Sequence, residues 1–287
     1  MSEPNIYHLK YFSKAAELQS LAAAAKALNV SQPAISQAIR KLEDTLGCEL
    51  LLHTKNRFKL TEEGRLLLEK SRGILAQLED LKAELKGRSE IVTGSLSIAT
   101  SSAVAHYLLP ARLKDFMKAH GEVQPELHFG SVPEIAELVR SGKADFGIII
   151  EENRLPGFEH RLLGEGGFTC VIRTGSQWPA APRFLATQES PGWTELQKAW
   201  RRHTGTDARA ALTVENWEVI SQMSLLGMGV GFVPDFIAEN QSGLKAAEEQ
   251  NHWASKIRYK IYLIHLGEHQ LAKPARLFVK SLGQQGF

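Results

Sequence analysis

Only two cysteines, Cys48 and Cys170, occur in 287 residues, far apart and without a CxxC spacing. Neither a disulfide framework nor a cysteine-based zinc site is indicated, and both thiols read as buried and inert. No stretch approaches the roughly 18 continuous apolar residues of a membrane span. The opening "MSEPNIYHLK" lacks an apolar signal core, so a cytoplasmic protein with no membrane partner is expected. Neither sign of charge is in large excess, with 34 Lys/Arg against 32 Asp/Glu and a formal net charge of +2. With 43% hydrophobic and 23% charged residues, the composition excludes disordered and collagen-like classes. No GxSxG elbow or P-loop occurs, and no paired carboxylates have a plausible partner, so catalysis has no positive support and no enzyme is expected. "GMGVG" runs from helix to strand, the reverse of a dinucleotide loop. His265 and His269 are spaced HxxxH, but Gly267 between them argues against a shared metal, so no metal or cofactor is expected.

What charge there is lies unevenly. Residues 1–60 hold eight Lys/Arg against five Asp/Glu, so the basic surplus is N-terminal. Within it stands "NVSQPAISQAIRKLEDTLG". At about 100° per residue, Ile35, Ile39, Leu42 and Leu46 share one stripe. Pro33, Gln37, Arg40 and Lys41 lie opposite, with Ser36 on the shoulder. Ser31 reads as the N-cap, Pro33 suits a first turn, and Gly47 supplies a left-handed stop. Upstream, Asn5 can cap a helix carrying Leu9, Phe12, Ala15 and Ala16, and Ser20 a second, "LAAAAKAL". Asn29 then opens a three-residue turn.

Two short helices joined so tightly make a helix-turn-helix, whose second helix enters the DNA major groove. Gln37 can then read adenine through its amide, and Arg40 can reach guanine or phosphate. Ser31, Gln32 and Ser36 can contact backbone or base edges beside Pro33. The segment "TKNRFKL" reads as a wing whose Lys55, Arg57 and Lys59 meet phosphates of double-stranded DNA.

These residues resemble the LysR-type transcriptional regulator family. The likeness runs through "LKYFSKAAELQSLAAAAKALNVSQPAISQAIRKLEDTLGCELL" and "LTEEG", and continues more weakly through "GSLSIAT", "LLP", "SGKADFGI" and "LLGMGVGFVP". Gln37 stands where many members carry arginine, and His53 where an arginine is usual at the base of the wing.

From Thr61, a threonine-capped helix with Glu62 and Glu63 in its first turn is expected. Leu67, Ile74 and Leu81 repeat every seven residues, interleaved with Ser71, Leu78 and Leu85, an a/d-like seam that favours pairing between chains. An amphipathic helix lying on its own domain is the alternative. "KGRSEIVTG" reads as the hinge beyond it.

Beyond Gly94 strands and helices alternate: "SLSIA", "YLLPARLKDFMKAH", "ELHF", "SVPEIAELVRSG", "ADFGIII", then "FTCVIR", "WTELQKAWRRH", "AALTV", "NWEVISQMSLLG" and "VGFVP". The pattern predicts parallel α/β sheets. The resemblance implies a two-subdomain α/β effector domain of periplasmic-binding-protein type, with crossings near Gly164 and His265. The expected organisation is therefore a winged helix-turn-helix (1–60), a linker and dimerisation helix with hinge (61–93), and an effector domain (94–287). Its subdomain I would cover about 94–164 and 265–287, and subdomain II about 165–264. Ligands of such sheets bind beyond the strand carboxyl ends, which selects Thr100, Ser101, Ser102, Gly130, Ser131, Glu151 and Asn216. Three hydroxyls before a helix N-terminus suit an anionic small-molecule effector, whereas Glu151 and Glu152 would favour a cation. A regulator that responds to such an effector as a dimer, or a tetramer on DNA, is the expected function. A metabolic enzyme or a small-molecule-binding protein with an accessory DNA-binding head is the alternative.

Overall fold

The computed structural model describes residues 3–52, 58–85, 92–151, 153–187, 191–214, 216–247, 254 and 256–285. Three helices open the chain, α1 (Ile6–Glu17), α2 (Leu21–Leu28) and α3 (Gln32–Leu46). Each start is fixed by a side-chain cap. Asn5 accepts from the Tyr7 N–H at 2.8 Å, Ser20 from Ala23 at 3.2 Å and Ser31 from Ala34 at 3.3 Å. Asn29, at φ 54°, turns α2 into α3, and Gly47, at φ 69°, ends α3. The fully buried Phe12, Ile35, Leu42 and Leu50 form the centre of this head. Leu46, assigned to the core stripe by its spacing, is 39% exposed in the last turn of α3.

A hairpin follows. Leu51 and Leu60 form an antiparallel bridge, and the Leu52 N–H donates to the Lys59 carbonyl at 2.9 Å. Glu43 ties it to α3: its Oε1 accepts from the N–H groups of Leu50 (2.8 Å) and Leu51 (3.2 Å). Helix α4 (Glu62–Leu85) starts on Thr61, whose hydroxyl accepts from the Gly64 N–H at 2.9 Å. Its first half lies on the head, with Leu68 and Ser71 buried and the Ser71 hydroxyl 2.8 Å from that of Ser13.

The rest of the chain builds one continuous path of strands: β1 (Gly94–Thr100), β2 (Val123–Phe129), β3 (Phe146–Glu151), β4 (Glu159–Arg173), β5 (Arg183–Ala186), β6 (Arg209–Thr213), β7 (Val230–Pro234), β8 (Leu244–Ala246) and β9 (Arg258–His265). Their order is β2-β1-β3-β9-β4-β7-β5-β6, with β8 beside β4. Strand β1 is parallel to β2 and β3, and β5 is parallel to β6 and β7, as the alternating pattern requires. Pro125 is tolerated because β2 is an edge strand. A π-turn (Val104–Leu108) leads into α5 (Leu109–Ala119); then come α6 (Val132–Ser141), α7 (Pro191–Thr204), α8 (Trp217–Leu225), α9 (Asp235–Asn240) and α10 (Lys273–Gln285).

The first crossing falls close to Gly164, but the return comes earlier than expected. Strand β4 begins at Glu159, well before "FTCVIR", and pairs with β9 as far as Gly167 before turning to β7 from Phe168. The return is made at the start of β9, since Lys260–Ile264 already pair with β3. Subdomain I therefore reclaims the chain near Lys260 rather than His265. The glycines at 164, 166 and 167 broke the apolar alternation that marks a strand in sequence. They serve the crossing: a Cβ at Gly166 would meet the Tyr259 hydroxyl. That hydroxyl donates to Asp235 Oδ1 at 2.6 Å, and Asp235 Oδ2 accepts from the Gly167 N–H at 2.6 Å, so both crossing strands are fastened to α9.

Candidate DNA-reading surface and effector cleft

On α3, Ile35, Ala38, Ile39 and Leu42 are buried, while Gln32, Pro33, Gln37, Arg40 and Lys41 are exposed and Ser36 half-buried. Ser31 is exposed at the N-terminus of the same face and caps the helix. Lys59 is exposed next to Leu60 of the bridge to Leu51. Lys55, Arg57 and His53 lie outside the described residues.

The seam of α4 divides in two. Leu67 packs against the head, and Ser71 bonds to it, so the N-terminal third of the proposed stripe is used within the chain. Leu78 is half-buried. Ile74, Leu81 and Leu85 are 49%, 51% and 79% exposed, an apolar ridge that the described residues do not cover.

Between the two lobes, the strand-end residues take up different roles. Thr100, expected to offer a hydroxyl to a ligand, is fully buried and donates to the Ile148 carbonyl at 2.9 Å. The register of β1 on β3 turns its side chain inward. Replacing it with valine keeps the shape and removes the donor. The expected result is a loss of about 1 to 2 kcal/mol in stability, read from the urea midpoint, with effector binding unchanged. Ser101 is half-buried and its hydroxyl accepts from the Val104 N–H at 3.5 Å, a helix cap. Ser131, also expected at the ligand, donates its hydroxyl to Glu134 Oε2 at 2.8 Å, and its N–H to the same oxygen at 2.7 Å. Those two bonds hold the Glu134 carboxyl below its ordinary range. Gly130 precedes this cap, its N–H donating to the Thr100 carbonyl. Glu151 is half-buried at the end of β3, opposite Lys260 on β9, and Glu152 lies outside the described residues.

Ser102 and Asn216 are the pair that the structure brings together. The Asn216 Nδ2 donates to the Ser102 hydroxyl at 2.9 Å, across the two lobes, while Asn216 Oδ1 caps α8 through the N–H groups of Glu218 and Val219. The Ser102 hydroxyl faces Glu218 Oε2 at 3.3 Å. Beside them the Tyr107 hydroxyl donates to Gln241 Oε1 at 3.1 Å, again lobe to lobe. Burial, and then the charge of Glu218, push the Tyr107 phenol above its ordinary pKa. Glu218, Tyr107 and Gln241 escape a reading by strand ends because the first two lie on helical turns and Gln241 follows the end of α9. The usable signal was Glu218, two residues beyond Asn216 in the first turn of the helix that Asn216 caps.

Two other features sit outside the cleft. Burial pushes the Cys170 thiol up, away from thiolate chemistry, and Cys48 is half-buried in the head. A groove of about 910 Å³ between α7 and β9 mixes Arg202, Lys256, Arg258 and Lys260 with Glu165 and Glu195. Arg258 and Glu165 stand 3.8 Å apart there, so part of its charge is answered internally. Among the described residues, no helix is long and apolar enough to cross a membrane.

A polar helix face beside a hairpin, joined by a long helix to two lobes that meet over a polar cluster, defines a ligand-responsive DNA-binding regulator. The family model for the bacterial regulatory helix-turn-helix protein, lysR family, matches residues 6–65, and that for the LysR substrate binding domain matches residues 89–286. The chain belongs to the LysR family of transcription regulators, with a DNA-binding head and an effector-binding domain. It is 37% identical over 257 residues to the HTH-type transcriptional regulator CysB of Burkholderia cenocepacia, covering 84% of this chain and 82% of that one. Identity to the HTH-type transcriptional activator IlvY of Salmonella typhimurium is 28% over 245 residues, covering 81% and 83%. Full-length OxyR from Pseudomonas aeruginosa has the same fold, with a TM-score of 0.71 at 16% identity over 99% of this chain and 95% of that one. CbnR complexed with its target DNA gives 0.54 at 24% identity, covering 98% and 99%.

Proposed function

We propose that the protein works as a homodimer, paired into a tetramer on its operator, with the α3 helices of each dimer in successive major grooves. The observation that carries this reading is the division of α3: Ile35, Ile39 and Leu42 are sealed in the head, while Gln32, Pro33, Gln37 and Arg40 are left in solvent. Gln37 reads a base edge, Arg40 a guanine or a phosphate, and Ser31 and Ser36 hold the backbone. Lys59, with Lys55 and Arg57, contacts phosphates through the wing. The exposed ridge of Ile74, Leu81 and Leu85 pairs with its copy, Leu78 at its margin. A small-molecule effector sits between the lobes against Ser102 and Asn216, and its binding shifts the placement of the heads. An operator-binding protein works where the chromosome lies, so a cytoplasmic location is part of the same reading.

Sequencing the genomic fragments retained by the purified chain tests it. A two-fold symmetric motif is expected, with half-site centres about 10 bp, or a multiple of that, apart. Fragments that share no motif would contradict the reading.

A further inference from the structure

The three hydroxyls that made an anionic effector attractive are committed elsewhere. Thr100 donates to Ile148, Ser101 caps the turn that follows it, and Ser102 faces Glu218. What remains is an acceptor. Glu218 Oε1 is buried and has no hydrogen-bond partner among the described residues, while its sister oxygen has only the 3.3 Å contact with Ser102. A carboxylate oxygen shut away from water without a donor is costly, and a ligand that supplies a charged donor recovers that cost. An incoming carboxylate would instead be set against Glu218 with like charge.

We propose that the effector carries a protonated nitrogen, an ammonium or guanidinium group, which donates to Glu218 and displaces the Ser102 hydroxyl from it. This rests on the effector lying between the lobes. Asn216 stays in place, because its Oδ1 is fixed by two backbone N–H groups of α8 and its amide keeps hold of Ser102. Tyr107, whose oxygen is already donating to Gln241, retains lone pairs that can accept a second N–H from the same nitrogen. Glu218 is thus the residue that selects charge, and Ser102 and Asn216 those that position the ligand.

The test is a thermal-shift and calorimetric titration of the full chain with ammonium, methylammonium, putrescine and agmatine, against succinate and benzoate. At least one of the nitrogen cations should stabilise the native chain, and the two carboxylates should not. In Glu218→Gln, binding of that cation should fall roughly ten- to a hundredfold, with the unliganded chain at least as stable as before and DNA retention intact. Ser102→Ala should change affinity for the cation as well. Three results overturn the proposal: stabilisation by the carboxylates alone, unchanged cation affinity in Glu218→Gln, or no response to any cation. Cation affinity unaltered in both variants would remove the site from the cleft. Carboxylate binding that Ser102→Ala weakens would keep the cleft and reject only the charge.

Discussion

A chain carrying Leu81→Glu will sediment as a monomer and lose affinity for its operator by orders of magnitude, while its far-UV circular dichroism stays that of the parent. Leu81 is 51% exposed, so the substitution disturbs little within one protomer. Its cost arises only on the proposed pairing, which would bring two carboxylates to a two-fold interface with Ile74 and Leu85 on either side. Two heads tethered in one dimer bind as a unit, the second engaging at high effective concentration once the first is down. Loss of the tether therefore lowers operator affinity far more than non-specific binding. A variant that stayed dimeric would transfer the interface to the effector domain. The same change at Leu67 would be a different experiment, because that side chain packs into the head.

Asp145→Asn is expected to stabilise the chain at pH 7.5 and to do nothing near pH 4. The carboxyl stands at the start of β3, its Oδ2 accepting from the Ser97 N–H at 2.8 Å. Burial pushes its pKa up to about 6, against the opposing pull of the Ser97 bond and of Arg72, with Glu17 adding to the rise. A group whose folded pKa exceeds its unfolded value of about 3.9 binds its proton more tightly when folded. Stability therefore grows as pH falls from about 6 towards 4, and the cost of the charge is complete above about 6. The shift corresponds to at most about 3 kcal/mol, less for a carboxyl that is not fully enclosed. Asparagine keeps an acceptor for Ser97 and carries no charge. Thermal unfolding across this range reads the effect; destabilisation at pH 7.5 would mean that attraction to Arg72 outweighs burial.

Asp145 also marks where three parts of the molecule meet. Arg72 of α4 donates to the carbonyls of Arg140 (3.3 Å) and Ser141 at the C-terminus of α6, where a cation complements the helix dipole. Glu17 of α1 contributes charge to both Arg72 and Asp145. Gly73 lets α4 approach the loop at His269, whose carbonyl lies 3.3 Å from where a Cβ would stand. The base of subdomain I, at the opposite ends of β1 and β3 from Ser102, is thus seated on the linker helix and close to the head.

The head was legible in the sequence because its rules are local. Asn5, Ser20 and Ser31 cap within three residues, Asn29 and Gly47 need only their own φ, and the stripe of Ile35, Ile39 and Leu42 follows from helical period. The cleft was legible only in part. Strand ends located Ser102 and Asn216, but nothing local shows that Thr100 points inward or that Ser131 spends its hydroxyl on Glu134. Those outcomes depend on register and on a neighbour's rotamer. Glu218, Arg72 and Asp145 were missed because their partners lie about 50 to 120 residues away in sequence. Strand β5, only four residues long, was missed because its apolar run is too short to declare a period.

The most direct test of the central claim, that α3 reads the operator, is the binding of Gln37→Ala to the selected motif and to random DNA across a salt series. A loss of about 1 to 3 kcal/mol on the motif is predicted, with base preference relaxed at one position per half-site and with random DNA and the salt slope unchanged. Equal losses on both DNAs, or an unaltered preference, would contradict the placement of α3 in the groove.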